Sequence, residues 1–171
     1  MKLLLAFAFA IAAALATQAE NSPYATETGR RIKALSDTEI SQYLAGRGMG
    51  LARAAELNRY PGPRHVLDLR AELALTDDQA ARLEQLFRTM DAAAKAAGAD
   101  LVARESELDQ LFAGRQATAE RVTALTEEIG RLQGLVRAAH LNAHVATAAV
   151  LTPEQIARYG ELRGYEKPRQ G

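Results

Sequence analysis

The motif Leu75-Thr76-Asp77-Asp78-Gln79 returns as Leu151-Thr152-Pro153-Glu154-Gln155. Each copy spells a helix start. The threonine hydroxyl at the N-cap accepts the N–H of N3, and the N3 glutamine reaches back to the threonine N–H. Asp77, Asp78 and Glu154 place negative charge in the first turn, where the helix dipole favours it. Pro153 stands at N1, where a missing N–H costs nothing. A chain with two such starts must turn into helices at Thr76 and Thr152.

The N-terminus reads as an export signal. Lys2 precedes an apolar run from Leu3 to Ala16 with no charge before Glu20. That run is shorter than the ~20 apolar residues of a membrane span and fits a cleavable secretory leader. Cleavage is expected after Ala19, with Ala14-Leu15-Ala16 as the rival site. No second apolar run follows, so no transmembrane segment is expected in the mature chain, and periplasmic localisation is the expectation. There is no cysteine, which excludes thiol redox chemistry and Cys-based zinc sites. Acidic and basic residues balance at 21 each, so nucleic acid is not an expected partner.

Composition and periodicity predict an all-α chain. Ala, Leu, Glu, Gln and Arg dominate, and alternating β-branched runs are missing. From Asp77 to Phe112 only Gly98 speaks against helix, and a lone glycine is tolerated at ~1 kcal/mol. Leu83, Phe87, Met90, Ala94, Ala97, Leu101, Leu108 and Leu111 form one stripe, interrupted by Arg104, whose stem can still pack. Ala113 to Ala117 reads as a turn with Gly114 near C′ and Thr118 as the next N-cap. The second stripe runs through Val122, Leu125, Ile129, Leu132, Val136, Ala139, Ala143, Ala146 and Val150. Two long stripes across a short turn predict an antiparallel helical hairpin. Short flanking helices complete a bent four- or five-helix arrangement: one behind a Ser36/Glu39 capping box, one over Leu51–Asn58, one over Arg64–Ala74, and one after Thr152. The organisation expected is a leader over 1–19, an extension with short helices over 20–63, the hairpin domain over 64–165, and a tail over 166–171. Residues 20–33 and the tail read as polar and loose.

These motifs carry a resemblance. An exported chain of this size with L-T-x-x-Q before two helices resembles the Spy/CpxP superfamily of periplasmic proteins, which includes heavy-metal sensors and metal-resistance proteins. The resemblance covers about 64–165. It implies a homodimeric helical cradle that acts as an ATP-independent chaperone, damps envelope-stress signalling, or senses zinc, nickel, cobalt or copper. Unfolded clients and an inner-membrane signalling protein are the partners it implies. Sensors of that superfamily carry a histidine before the first motif and a His and Met four apart before the second. His65, His140 and His144 stand at similar places. Leu69 and Ala148 stand where a sensor carries a second His and the Met, so the sensor set is incomplete.

His140 and His144 are four apart and share a helical face, which suits two imidazoles on one Zn, Ni, Co or Cu ion. They lie beside Ala139 and Ala143, at the edge of the apolar stripe. Folding the hairpin about its turn sets His140 opposite Asp91 and His144 opposite Phe87, so Asp91 is a candidate third ligand, with Glu84 on the same face. The plainer reading, which we favour, is a solvated histidine pair with Asp91 and Glu84 paired to Arg88. His65 reads as surface decoration more readily than as a ligand. Gly46-Arg47-Gly48-Met49-Gly50 lacks the strand of a phosphate loop and reads as a flexible joint, with Met49 packing. Arg30, Arg31 and Lys33 read as a solvated basic cluster. No H-E-x-x-H and no nucleophile–base set occurs, so the chain reads as non-enzymatic, with no cofactor required.

Overall fold

The computed structural model describes residues 22–165. The leader and the tail expected from the sequence lie outside the described residues. Six α-helices follow a 3-10 turn at Ala25–Glu27: α1 (Asp37–Leu44), α2 (Arg53–Glu56), α3 (Pro63–Asp68), α4 (Asp77–Ala113), α5 (Ala119–Val150) and α6 (Pro153–Leu162). No strand occurs among the described residues, whose one β feature is an isolated bridge between Ile32 and Leu35. The expected antiparallel hairpin is α4 and α5. At 37 residues, α4 is ~55 Å long at 1.5 Å per residue.

Both motifs cap their helices as expected. Thr76 Oγ1 accepts from Gln79 N at 3.1 Å and Thr76 N donates to Gln79 Oε1 at 3.1 Å. Thr152 and Gln155 repeat this at 3.2 and 2.9 Å. The two glutamines also meet. Gln79 Nε2 donates to Gln155 Oε1 at 2.8 Å, and Gln155 Nε2 donates to Gln79 Oε1 at 3.1 Å. The remaining amide protons go to Val150 O and Leu73 O, at 3.0 and 3.1 Å. The amide pair therefore joins the start of α4 to the end of α5 and to the turn after α3. Around it packs the largest apolar cluster: Val66, Leu73, Leu75, Leu83, Leu151 and Tyr159.

The hairpin turn closes as expected at its caps, with Thr118 Oγ1 accepting from Arg121 N at 3.4 Å. The left-handed residue differs. Gly114 is the C-cap with φ −80°, and Arg115 takes the positive φ of 54°. Two flanking helices are shorter than their patterns: α2 spans four residues and α3 six, and turns complete both segments.

The 20–33 segment is not loose throughout. Ile32 and Leu35 are buried with Ile40, packed against Tyr43 and Val102. Lys33 is not simply solvated: its N–H donates to Asp109 Oδ1 at 3.0 Å and its ammonium lies 3.5 Å from Oδ2. Tyr43 also reaches the mid-hairpin cluster of Leu101, Ile129 and Leu132, so α1 rivets the extension onto the hairpin.

This docking explains Gly98, which the sequence presents as merely tolerated. A Cβ at Gly98 would lie 2.9 Å from the Tyr43 carbonyl carbon and closer still to its oxygen. The glycine lets the last turn of α1 press on the α4 backbone. Two further stripe details change. Arg104 is exposed, and Glu105 is buried in its stead, with its carboxyl pushed above the ordinary range by desolvation. On α5 the buried line runs Ile129, Leu132, Val136, His140, Ala143, His144 and Thr147, so Ala139 and Ala146 lie to one side.

Gly98→Ala is expected to cost about 2–3 kcal/mol by overpacking against backbone. Gly130→Ala, whose Cβ meets nothing within 4 Å, should stabilise by up to ~1 kcal/mol. Urea unfolding of both variants checks the contrast. A double-mutant cycle on Gln79→Ala and Gln155→Ala should return a coupling of about 1 kcal/mol, and strict additivity would show the amide pair to be idle.

Candidate functional site

The candidate ligands His140 and His144 lie in the interface rather than in solvent, at 5% and 8% exposure. The correction has a simple cause. The extension, which stripe analysis of the hairpin leaves out, folds over this end of α5. The Gly46–Gly50 loop lies against His140: a Cβ at Gly48 would sit 3.7 Å from its Cε1 and Nδ1, and the Arg47 backbone hydrogen-bonds the imidazole. The Tyr60–Gly62 turn covers His144, whose Nδ1 lies 2.6 Å from Tyr60 O. A Cβ at Gly62 would meet the His144 ring at 2.9 Å. Glycine there is a matter of space.

His140 charges less readily than a free histidine. Burial is the main cause and His144 adds to it, while the Arg47 backbone and Asp91 oppose. Its Nε2 is enclosed with no hydrogen-bond partner, as is Thr147 Oγ1. An imidazole held neutral can leave one ring nitrogen bare; a charged one has two protons to place.

Asp91 and Phe87 line one cavity with the two histidines, so the expected neighbourhood is present. The expected pairing is not. Asp91 binds Lys95 at 2.6 Å instead of Arg88, while Glu84 does face Arg88 at 3.7 Å. His65 is exposed at the cavity rim, with Asp68 4.0 Å from Nδ1. Among the described residues no three His, Asp or Glu groups converge as a metal site. The donors named from sequence therefore share a cavity without forming a coordination shell, and they do not fit a closed metal centre as they stand.

No local spacing in the chain points to the hub beside them. Glu56 of α2 accepts from the hydroxyls of Tyr159 and Tyr165, the latter at 3.0 Å. It also lies 3.5 Å from His144 Nδ1 and 3.8 Å from Arg163 Nε. Burial, then the bond to Glu56 and its charge, hold the Tyr159 hydroxyl protonated. Glu56 and Tyr159 are 103 residues apart, and no local spacing links them. The cavity holds about 400 Å³, between the 45–53 loop, the start of α3, and the facing sides of α4 and α5. Its size falls within the range of ligand pockets.

Because its folded-state pKa is lowered, His140 contributes stability that is whole above about pH 6.5 and drains as pH falls below that value. Denaturant midpoints of wild type should drop more steeply between pH 7 and 5 than those of His140→Gln. Parallel curves would refute this assignment.

Among the described residues no helix is long and apolar enough to cross a membrane. The chain has no match among curated proteins or solved structures. The model of the LTXXQ motif family protein matches residues 63–163, from the first residue of α3 to just past the end of α6. Proteins of this family are periplasmic and are not known as enzymes. The helical hairpin, closed by paired L-T-x-x-Q caps, belongs to the LTXXQ motif family, the Spy/CpxP-like proteins.

Proposed function

We propose that this protein is a non-enzymatic, ATP-independent holder of unfolded proteins in the periplasm, working as a homodimer in the response to envelope stress. One observation carries the reading. The side of α5 turned away from α4 exposes small and apolar residues among charged and polar ones. Gly130 and Gly134 have open space above them, Val145 is 57% and Leu135 46% exposed, and Phe112 at the hairpin tip is 57% exposed. Arg137, exposed on the same helix, has no carboxylate partner among the described residues. Exposed apolar side chains interspersed with polar ones and a free cation suit extended chains of mixed sequence. Pairing of two hairpins would enlarge that surface.

The test is light scattering by chemically denatured malate dehydrogenase diluted into the full mature chain without nucleotide. Suppression is expected at one dimer per client. Leu135→Glu/Val145→Glu should lose it several-fold with helicity unchanged. No suppression at that ratio rejects the reading.

A second reading, metal response, rests on His140 and His144. Backbone contacts hold one side of each ring, as outer-shell partners do for metal-binding imidazoles. Asp91 would have to leave Lys95 to serve as a third ligand. Calorimetry with Zn²⁺, Ni²⁺, Co²⁺ and Cu²⁺ should show binding that the His140→Ala/His144→Ala variant loses and that weakens below about pH 6. Equal, weak heats in both proteins end this reading.

A further inference from the structure

The cavity over the histidines has arginine and thioether walls that neither client holding nor metal response uses. Its roof is the 45–53 loop, which lies wholly outside the residues matched by the family model. Four arginines reach it: Arg47, Arg53, Arg64 and Arg163. Its two carboxylates are already engaged, Asp91 by Lys95 at 2.6 Å and Glu56 by the hub of Tyr159, Tyr165, His144 and Arg163. Arg64 is held by Asp68 at 3.1 Å and lies 5.7 Å over the Phe87 ring. Arg47 and Arg53 have no carboxylate partner among the described residues. The cavity thus holds committed anions and uncommitted cations.

The loop is shaped for this. Gly46 and Gly50 take positive φ of 61° and 77°. At Gly50 a Cβ would lie 2.9–3.1 Å from Nε, Cζ and Nη2 of Arg53, so the guanidinium packs in the space that a side chain there would take. The apolar part of the lining is soft: Met49 from the loop, Phe87 and Met90 from α4. Thioethers beside an aromatic ring favour a flat apolar guest. A guanidinium favours a carboxylate or sulfonate, through paired charge-assisted hydrogen bonds.

We propose that the cavity between the Gly46–Gly50 loop and the hairpin is a binding site for a small organic anion with a flat apolar body. Arg47 and Arg53 take the anionic head. Met49, Phe87 and Met90 take the body.

The experiment is calorimetric titration of the full mature chain with 4-phenylbutyrate and 2-naphthalenesulfonate. Controls are 4-phenylbutanol, inorganic phosphate and Zn²⁺ alone. Saturable binding of at least one organic anion is expected, with the alcohol and phosphate each at least tenfold weaker. Arg47→Ala/Arg53→Ala should lose tenfold or more in affinity with its thermal melt unchanged, since both side chains are exposed. Gly48→Leu tests the cavity separately: a side chain there makes ordinary contact with His140 and then fills the space beyond. It should abolish binding. No saturable binding of either anion overturns the proposal. So does equal affinity for acid and alcohol, phosphate binding as tight as the organic anions, or undiminished affinity in the arginine variant. Zn²⁺ uptake without uptake of either anion overturns it too, and assigns the cavity to a cation. Client holding is read by scattering on α5 variants and stands or falls apart from these results.

Discussion

Two glutamine amides hold the open end of the helical hairpin together. Gln79 and Gln155 each close their own capping box, then exchange hydrogen bonds, then spend the remaining protons on backbone carbonyls of neighbouring segments. Every strong donor and acceptor of the pair is used, which is the condition under which part-buried polar groups stabilise and specify a fold. A glutamate at either place could not donate, and an alanine would leave backbone groups unserved. The pair brings the start of α4 to the end of α5, and the cluster of Val66, Leu83 and Tyr159 packs around that junction. The hairpin arms, the turn after α3 and α6 all take their positions from it.

A second constraint is set where α1 meets α4. The absence of a side chain at Gly98 lets the Tyr43 carbonyl touch the α4 backbone, and Tyr43 then bridges two apolar clusters. With α1 docked, the following loop has to cross the hairpin toward α3. It crosses over His140 and His144. The cavity is therefore a product of two dockings, at Gly98 and at the amide pair, and not of any local motif. Its chemistry follows from that history. The histidines are buried because a loop lies on them, burial makes His140 harder to charge, and the arginines of the loop arrive without carboxylate partners.

Much of the helical frame is legible in the residues. Ser36, Thr76, Thr118 and Thr152 all cap helices where their neighbours predict, and the α4–α5 turn falls between Ala113 and Thr118. These are short-range effects, settled within one turn of chain. The site is less legible. His140 and His144 read as a stripe edge because Ala139 and Ala143 extend an apolar count. Yet the buried face continues through the histidines and Thr147, where the wall opposite is a loop and not a helix. Glu56, Tyr60 and Arg163 carry no spacing signal at all, since their partners lie far along the chain.

That this chain is helical, where its long helices begin, and that two of them fold back on one another can be read from the order of residues alone. The reason is that capping and the 3–4 repeat act between near neighbours, whose energetics do not depend on the rest of the fold. That the two motif glutamines bind each other, that Gly98 is a contact point, and that the extension roofs a pair of histidines emerges only in the folded chain. Those outcomes depend on which surfaces meet across 50 to 100 residues of chain, and burial, which sets the charge state of His140, exists only once they have met.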